Sequence, residues 1–349
     1  MYFKKGGIRM IQQITNRFPG ISCAYWDGSG NIITECYGVS DLEKKTPVDE
    51  NTIFPACSIS KFVTAICLMK LQEESVIDID APVNRYLQQW KLLTSNGTES
   101  DATIRSIMRH TAGIVDGEDS FYGLRREDPE IPLIDILDGR TFYNNRPARV
   151  ENQPGSAFEY SDAGYCVLQL LVEETMHCTF EDAVQELVFD KLYLNSTFYA
   201  SPQNLAYHEN SKTMTTGYDG AGIPLLGRFP PCPDLAGAGL WSTPKELLTI
   251  AKAFVTAYKG SPSFLREASA KAMAQTAESF PWAGLGIFIC EDGSLMTQGW
   301  GENGQCMMKL NCRTGQISVV MTNRNPEMSQ SESGVEWMVN KNFLRSNGQ

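Results

Sequence analysis

Ser58 and Lys61 stand three positions apart at the head of an apolar-periodic run that continues to Leu71. Residues i and i+3 of a helix share one face, close enough for their side chains to meet. A serine hydroxyl is a weak nucleophile until a neighbour takes its proton, and a partly desolvated lysine can do that once its pKa falls. The pair therefore describes an activated serine.

The spacing alone is a weak signal, expected by chance about once in a chain of this length. A second match, Ser242-Thr243-Pro244-Lys245, shows this directly. There Thr243, Pro244 and Glu246 read as a capping box with proline at the first helical position, so Ser242 precedes the helix and shares no face with Lys245. Around Ser58, by contrast, Ile59, Phe62, Val63, Ile66 and Cys67 supply the apolar face of a buried helix that begins at the serine. Ser58 is the candidate nucleophile.

The elements that must hold this pair come from both ends of the chain. Residues 21–28 and 32–38 flank Gly28-Ser29-Gly30-Asn31 and predict a β-hairpin. A long, mostly helical middle follows, with helices near 102–109, 163–176 and 180–190, a breaker at 227–233, and a capped helix from Pro244 to Tyr258 that stops at Gly260. Strands are predicted at 284–290, 294–299, 305–310 and 316–322, and an amphipathic helix carries Val335, Met338, Val339 and Phe343. Strands at both ends around a helical centre imply one antiparallel sheet built from both termini, an α+β architecture. The expected division is a discontinuous sheet domain, 1–75 with 235–349, and a helical insertion, 76–234, with the active site in the cleft between them.

Composition narrows the function. Hydrophobic residues make up 42% and charged residues 20% of the 349, ordinary values for a globular protein. A net charge of −11 argues against nucleic acid, which needs a basic surface. No apolar run is long enough to span a membrane, and Lys4, Lys5 and Arg9 are not followed by a signal-peptide core. Ten scattered cysteines without a C-x-x-C pair, and three histidines (110, 177, 208) without ligand spacing, lead to the expectation of a reduced, cytoplasmic protein with neither metal nor cofactor. Partners are then a small molecule or short peptide, with the oligomeric state left open.

In order along the chain, the motifs resemble those of the class C β-lactamase-like serine hydrolases, a superfamily that includes penicillin-binding proteins, DD-peptidases, D-aminopeptidases and esterases. The resemblance rests on the Ser58 helix, Asp78-Ile79-Asp80-Ala81-Pro82-Val83, His110-Thr111-Ala112-Gly113, Pro154-Gly155 leading to Tyr160-Ser161-Asp162, Ala238-Gly239-Leu240-Trp241-Ser242-Thr243, Gly284-Leu285-Gly286 and Met321-Thr322-Asn323. It implies a β-lactamase/transpeptidase-like fold and a tyrosine, from a Tyr-x-Asn element, that shuttles protons to and from the serine. Strict Tyr-x-Asn occurs at Tyr143-Asn144-Asn145 and Tyr193-Leu194-Asn195, but Tyr160 has the expected flanks. Asp162 in the third position also reads as the N-cap of the following helix. A carboxylate there would hold Lys61 as an ammonium and move general-base duty toward Tyr160.

The third element departs further. Where the superfamily has Lys/His-Thr-Gly, or Trp-Gly-Gly in esterases, this chain has Gln298-Gly299-Trp300-Gly301. Gln298 or Trp300-Gly301 then takes the substrate-binding position, and neither supplies the cation that pairs with a substrate carboxylate. An oxyanion hole would join the Ser58 N–H to that of Trp300 or Gly301. His110 reads as a helix-end residue capping carbonyls, and Asp101 as the cap of its helix. The expected activity is acyl hydrolysis of an ester or amide, esterase- or peptidase-like rather than an efficient β-lactamase. The alternatives are acyl transfer through the same intermediate, and a binding module that kept the fold and lost the chemistry.

Overall fold

The computed structural model describes residues 10–124, 128, 130–201, 204, 205, 207, 213–225 and 232–344. Lys4, Lys5, Arg9, His208 and residues 227–231 of the breaker lie outside them.

The N-terminal hairpin forms as β1 (Gly20–Trp26) and β2 (Ile32–Asp41), with a short β3 (Thr46–Pro47) beside it. The C-terminal strands are β4 (Phe288–Ile289), β5 (Leu295–Gly301), β6 (Gly304–Leu310) and β7 (Ile317–Thr322). They join in one seven-stranded antiparallel sheet of order β3-β2-β1-β7-β6-β5-β4. The closing contact is β1 on β7, in register from Ile21↔Thr322 to Trp26↔Ile317. The residues between β3 and β4 contribute no described strand to it.

Period-two alternation sorts the side chains of this sheet. Ile317, Val319 and Met321 of β7 join the large core with Phe62 and Phe254, whereas Val320 turns to the other face with Ile21, Cys23, Val335, Met338 and Val339. Helix α1 (Ser60–Glu73) belongs to the large core and is buried nearly all round, from Ser60 to Met69 and at Leu71. A helix apolar on every side is a core helix, and its position is set by packing from all directions. Later helices are α2 (Asp162–Met176), the short α3 (Leu235–Ala238), α4 (Pro244–Tyr258) and α5 (Val335–Leu344). No described helix is long and apolar enough to cross a membrane.

Three expectations change. The centre is richer in loops than in helices: the helix expected over 102–109 covers only Ile104–Met108, and the 180–190 segment is α-helical only to Val184 before a π turn. Thr103, not Asp101, caps the first of these by accepting from Ser106 N. The strand expected over 284–290 shrinks to Phe288–Ile289 because Gly284-Leu285-Gly286 packs on α1 instead. Gly286 has φ +67°, and a Cβ built there would lie 2.5 Å from Lys61 O, so this approach needs glycine.

Candidate active site

The chain enters the turn that carries Ser58 through Cys57, whose φ of 45° is unusual for a residue with a side chain. Ser58 sits in a 3-10 turn, Cys57–Ile59, and α1 proper begins at Ser60 rather than at the serine. Ser60 Oγ fixes the turn by donating to Cys57 O at 2.5 Å and accepting from Leu240 N at 3.0 Å. Ala56 N adds a bond to Leu240 O, and Thr64 Oγ1 one to Ala236 O, both 2.8 Å. The turn is thus pinned to the segment 236–240.

Lys61 is 3% exposed and donates to Ser58 Oγ at 3.2 Å, Asp162 Oδ1 at 2.5 Å and Gly237 O at 2.9 Å. Desolvation favours the neutral amine, but the Asp162 carboxylate and Tyr160 outweigh it and raise the Lys61 pKa above the ordinary lysine value. Tyr160 is 41% exposed overall, and the Lys61 ammonium lies 4.9 Å from its ring centroid. Desolvation raises this phenol, partly opposed by the Lys61 ammonium.

Asp162 does not cap α2. Ser161 does, accepting from Gly164 N, and Asp116 completes the cap by accepting from Ser161 Oγ and Asp162 N at 2.6 Å each. At the first helical position Asp162 is left to face Lys61. His110 caps no carbonyl either. Its Nδ1 accepts the Ser161 N–H at 3.1 Å and its ring stacks on Tyr160 at 4.3 Å. Burial, aided by Lys61, holds it neutral, far below the usual histidine range. Of the other two tyrosines, Tyr143 donates to Asp234 Oδ1 at 2.7 Å, and Tyr193 is 86% exposed on the surface.

Strand β5 runs against the Ser58 turn. A Cβ at Gly299 would lie 2.5 Å from Ala56 O and 2.8 Å from Cys57 Cβ, so glycine allows the contact. β4 pairs with β5 only at Leu295 and Met296, leaving the edge from Thr297 to Gly301 without a described strand partner. Gln298 and Trp300 share one face of β5 and open on different sides of Ser58. Gln298 lines a crevice of about 10 Å³ with Arg109, His110 and Tyr160. Trp300 and Gly301 line a cavity of about 120 Å³ with Asp162, Asp234 and Glu302.

Three charged residues escaped the sequence reading. Arg109 places a cation beside Gln298, against the expectation that this side holds none, and donates through Nη2 to Gln275 O at 2.7 Å. Arg324 is remote, spent on the carbonyls of Arg17, Asp219 and Gly220. Asp116 and Asp234 are both raised to about 6, first by desolvation and then by the Asp162 charge. Asp116 and Asp234 both lie in loops or at a short helix start, where no sequence pattern singles them out.

The antiparallel sheet, the buried helix α1 and the cluster of Ser58, Lys61 and Tyr160 beside it define a β-lactamase/transpeptidase-like fold. The chain belongs to the beta-lactamase family, whose model matches residues 8–337, a family of serine hydrolases. Among curated relatives it is 27% identical to esterase EstB of Burkholderia gladioli over 67% of this chain and 64% of that one. It is 21% identical to the human mitochondrial serine beta-lactamase-like protein LACTB over 69% and 54%. The matches thus span between half and two thirds of those relatives' lengths. Among solved structures, the octameric penicillin-binding protein homologue of Pyrococcus abyssi superposes with a TM-score of 0.80 at 20% identity, covering 100% of this chain and 78% of that one. The D-amino acid amidase of Ochrobactrum anthropi SV3 superposes at 0.76 and 19% identity, covering 97% and 100%.

Proposed function

We propose that this protein is a serine acyl-hydrolase that cleaves a small ester or amide through an acyl-enzyme on Ser58. The observation that carries the reading is the position of Lys61 Nζ, 3.2 Å from Ser58 Oγ, 2.5 Å from Asp162 Oδ1 and 4.9 Å from the centroid of the Tyr160 ring. Held as an ammonium, Lys61 cannot accept the serine proton. Tyr160 is then the base, and Lys61 stabilises the phenolate as it forms. The same phenol returns the proton to the leaving group, and water activated in the same way releases the acyl group. The N–H groups of Ser58 and of Trp300 or Gly301 hold the oxyanion, Gln298 hydrogen-bonds the substrate, and His110 positions Tyr160 by stacking. Because burial keeps the free phenol protonated, kcat/KM rises with pH through the neutral and mildly alkaline range.

Esters and amides fit this cleft better than β-lactams. The larger cavity carries Asp162, Asp234 and Glu302, which repel a substrate carboxylate. Acyl transfer is a second outcome of the same intermediate, suggested by the structural likeness to EstCE1, described as a hydrolase with promiscuous acyltransferase activity. A fluorophosphonate probe with peptide mapping tests the nucleophile, and an adduct anywhere other than Ser58 rejects it. Turnover of p-nitrophenyl esters, amino-acid amides and nitrocefin, with and without an acceptor alcohol, ranks the reactions.

A further inference from the structure

The first N–H groups of a helix find no partner inside it. In α2 these belong to Ser161, Asp162, Ala163 and Gly164, and side chains take every one. His110 Nδ1 accepts from Ser161 N at 3.1 Å, Asp116 Oδ2 from Asp162 N at 2.6 Å and Asp116 Oδ1 from Ala163 N at 3.3 Å. Ser161 Oγ accepts from Gly164 N at 2.9 Å and donates to Asp116 Oδ1 at 2.6 Å. The loop that carries His110 and Asp116 is fixed from behind, by Gly155 N on Thr111 O at 2.7 Å and Glu151 N on Gly113 O at 2.8 Å.

With the helix start satisfied, the Asp162 carboxylate has no donor left there and its Oδ1 meets Lys61 Nζ at 2.5 Å. Burial works against the Lys61 charge, and Asp162 is the main group that sustains it. Besides Asp162 and Tyr160, Lys61 is faced by Asp234 at the head of α3, by the neutral His110 and by the Tyr165 ring. The arrangement has a cost. Desolvation and then the Asp162 charge raise Asp116 to about 6, so two carboxylates are held close against their repulsion. Opposed charges of this kind gather where a site requires them.

We propose that Asp116 is a positioning residue for the reaction at Ser58: by occupying the start of α2 it keeps the Asp162 carboxylate on Lys61, and so keeps Lys61 charged and the general-base role with Tyr160. Without Asp116, the Asp162 carboxylate turns back to the freed N–H groups of its own helix, and burial then governs Lys61. The effect on rate rests on the reading of Ser58 as an acyl-hydrolase nucleophile; the effect on Lys61 does not.

The first test is turnover of p-nitrophenyl acetate. Asp116→Ala should lower kcat about 10–100-fold with KM changed by less than about threefold, the pattern of a misplaced catalytic group. Asp116→Asn still offers an oxygen to Asp162 N and should recover all but about fivefold of kcat. If the alanine variant does not fold, Asp116→Ser, polar but too short to reach that N–H, replaces it with the same expectation. The second test needs no turnover. It follows the Cε resonance of Lys61 against pH in protein carrying isotope-labelled lysine, assigned by its loss in Lys61→Met. The parent and Asp116→Asn should show no Lys61 titration up to about pH 11, whereas Asp116→Ala should titrate below the ordinary lysine value of about 10.4. A Lys61 that stays charged in Asp116→Ala overturns the proposal, because Asp162 has then not moved. Equal losses of kcat in the alanine and asparagine variants also overturn it, and so does an unchanged kcat in both. If no form cleaves the ester but Lys61 titrates early in the alanine variant alone, the positioning role stands and the hydrolase reading falls.

Discussion

Ser58-x-x-Lys61 and Ser242-x-x-Lys245 have the same spacing and opposite fates. In the first, a 3-10 turn runs directly into α1, and the two side chains meet at 3.2 Å. In the second, Ser242 ends a strand, Thr243 is extended, and Pro244 starts α4. Ser242 is fully buried, with its Oγ bonded to Thr197 Oγ1 at 2.7 Å, while Lys245 reaches Glu50 at 3.7 Å on the surface. Chemistry therefore depends on continuous helical backbone between the two residues and on what encloses the lysine. Lys61 is buried among oxygens; Lys245 is half exposed.

The largest expected effect breaks the comparison most directly. Ser58→Ala should lower kcat by roughly four powers of ten or more and abolish covalent labelling. Ser242→Ala should leave labelling on Ser58 and cost about 1 kcal/mol of stability through the lost Thr197 bond, read from urea unfolding. Labelling that follows Ser242 would invert the assignment. Next in size, Tyr160→Phe should reduce kcat about 10²–10⁴-fold with little change in Tm. A Tyr143→Phe variant with the greater kcat loss would transfer the proton-shuttling role.

A smaller effect concerns the carboxylates around Lys61. Burial and the Asp162 charge raise Asp234 to about 6 in the native state, from the ordinary aspartate value of 3.8, with Asp162, Lys61, Tyr143 and Cys232 facing it. Between those values the native state binds more protons than the unfolded one. The stability this group contributes is complete below about pH 4 and lost as pH rises through 6. Asp234→Asn removes that loss and should be more stable than the parent at pH 8 by about 1–3 kcal/mol, with the gap closing toward pH 4 in denaturant titrations. The smallest effect belongs to the second lysine: Lys245→Ala should change stability by less than about 0.5 kcal/mol, the value of an exposed ion pair.

Elements with strong local signals were legible in the sequence. Pro244–Tyr258 was readable from its cap, its proline and its stop at Gly260, and the terminal strands from alternation and turn residues. The capping box itself was only half present, because Glu246 reaches across to Asn195, Ser196 and Thr197 instead of back to Thr243. Segment 284–290 misled because an apolar run serves a loop on a helix as well as it serves a strand. Asp162 resembled a cap because an acidic residue at a helix start satisfies the same pattern whether it bonds its own backbone or a lysine on another element. Asp116, Asp234 and Arg109 reach the site only through tertiary packing, and no local pattern marks such residues.

The pairing of Ile21 with Thr322 also sets a clock on this protein's synthesis. Ser58 and Lys61 leave the ribosome more than 230 residues before β5, β6 and β7, which complete the sheet and lay one edge against the Ser58 turn. At about 5–20 residues per second that interval is on the order of tens of seconds. Throughout it the hairpin keeps an unpaired edge on β1, and α1 lacks much of the core that surrounds it on all sides. The nascent chain therefore carries Ser58 and Lys61 through that interval without the sheet edge that later packs against their turn.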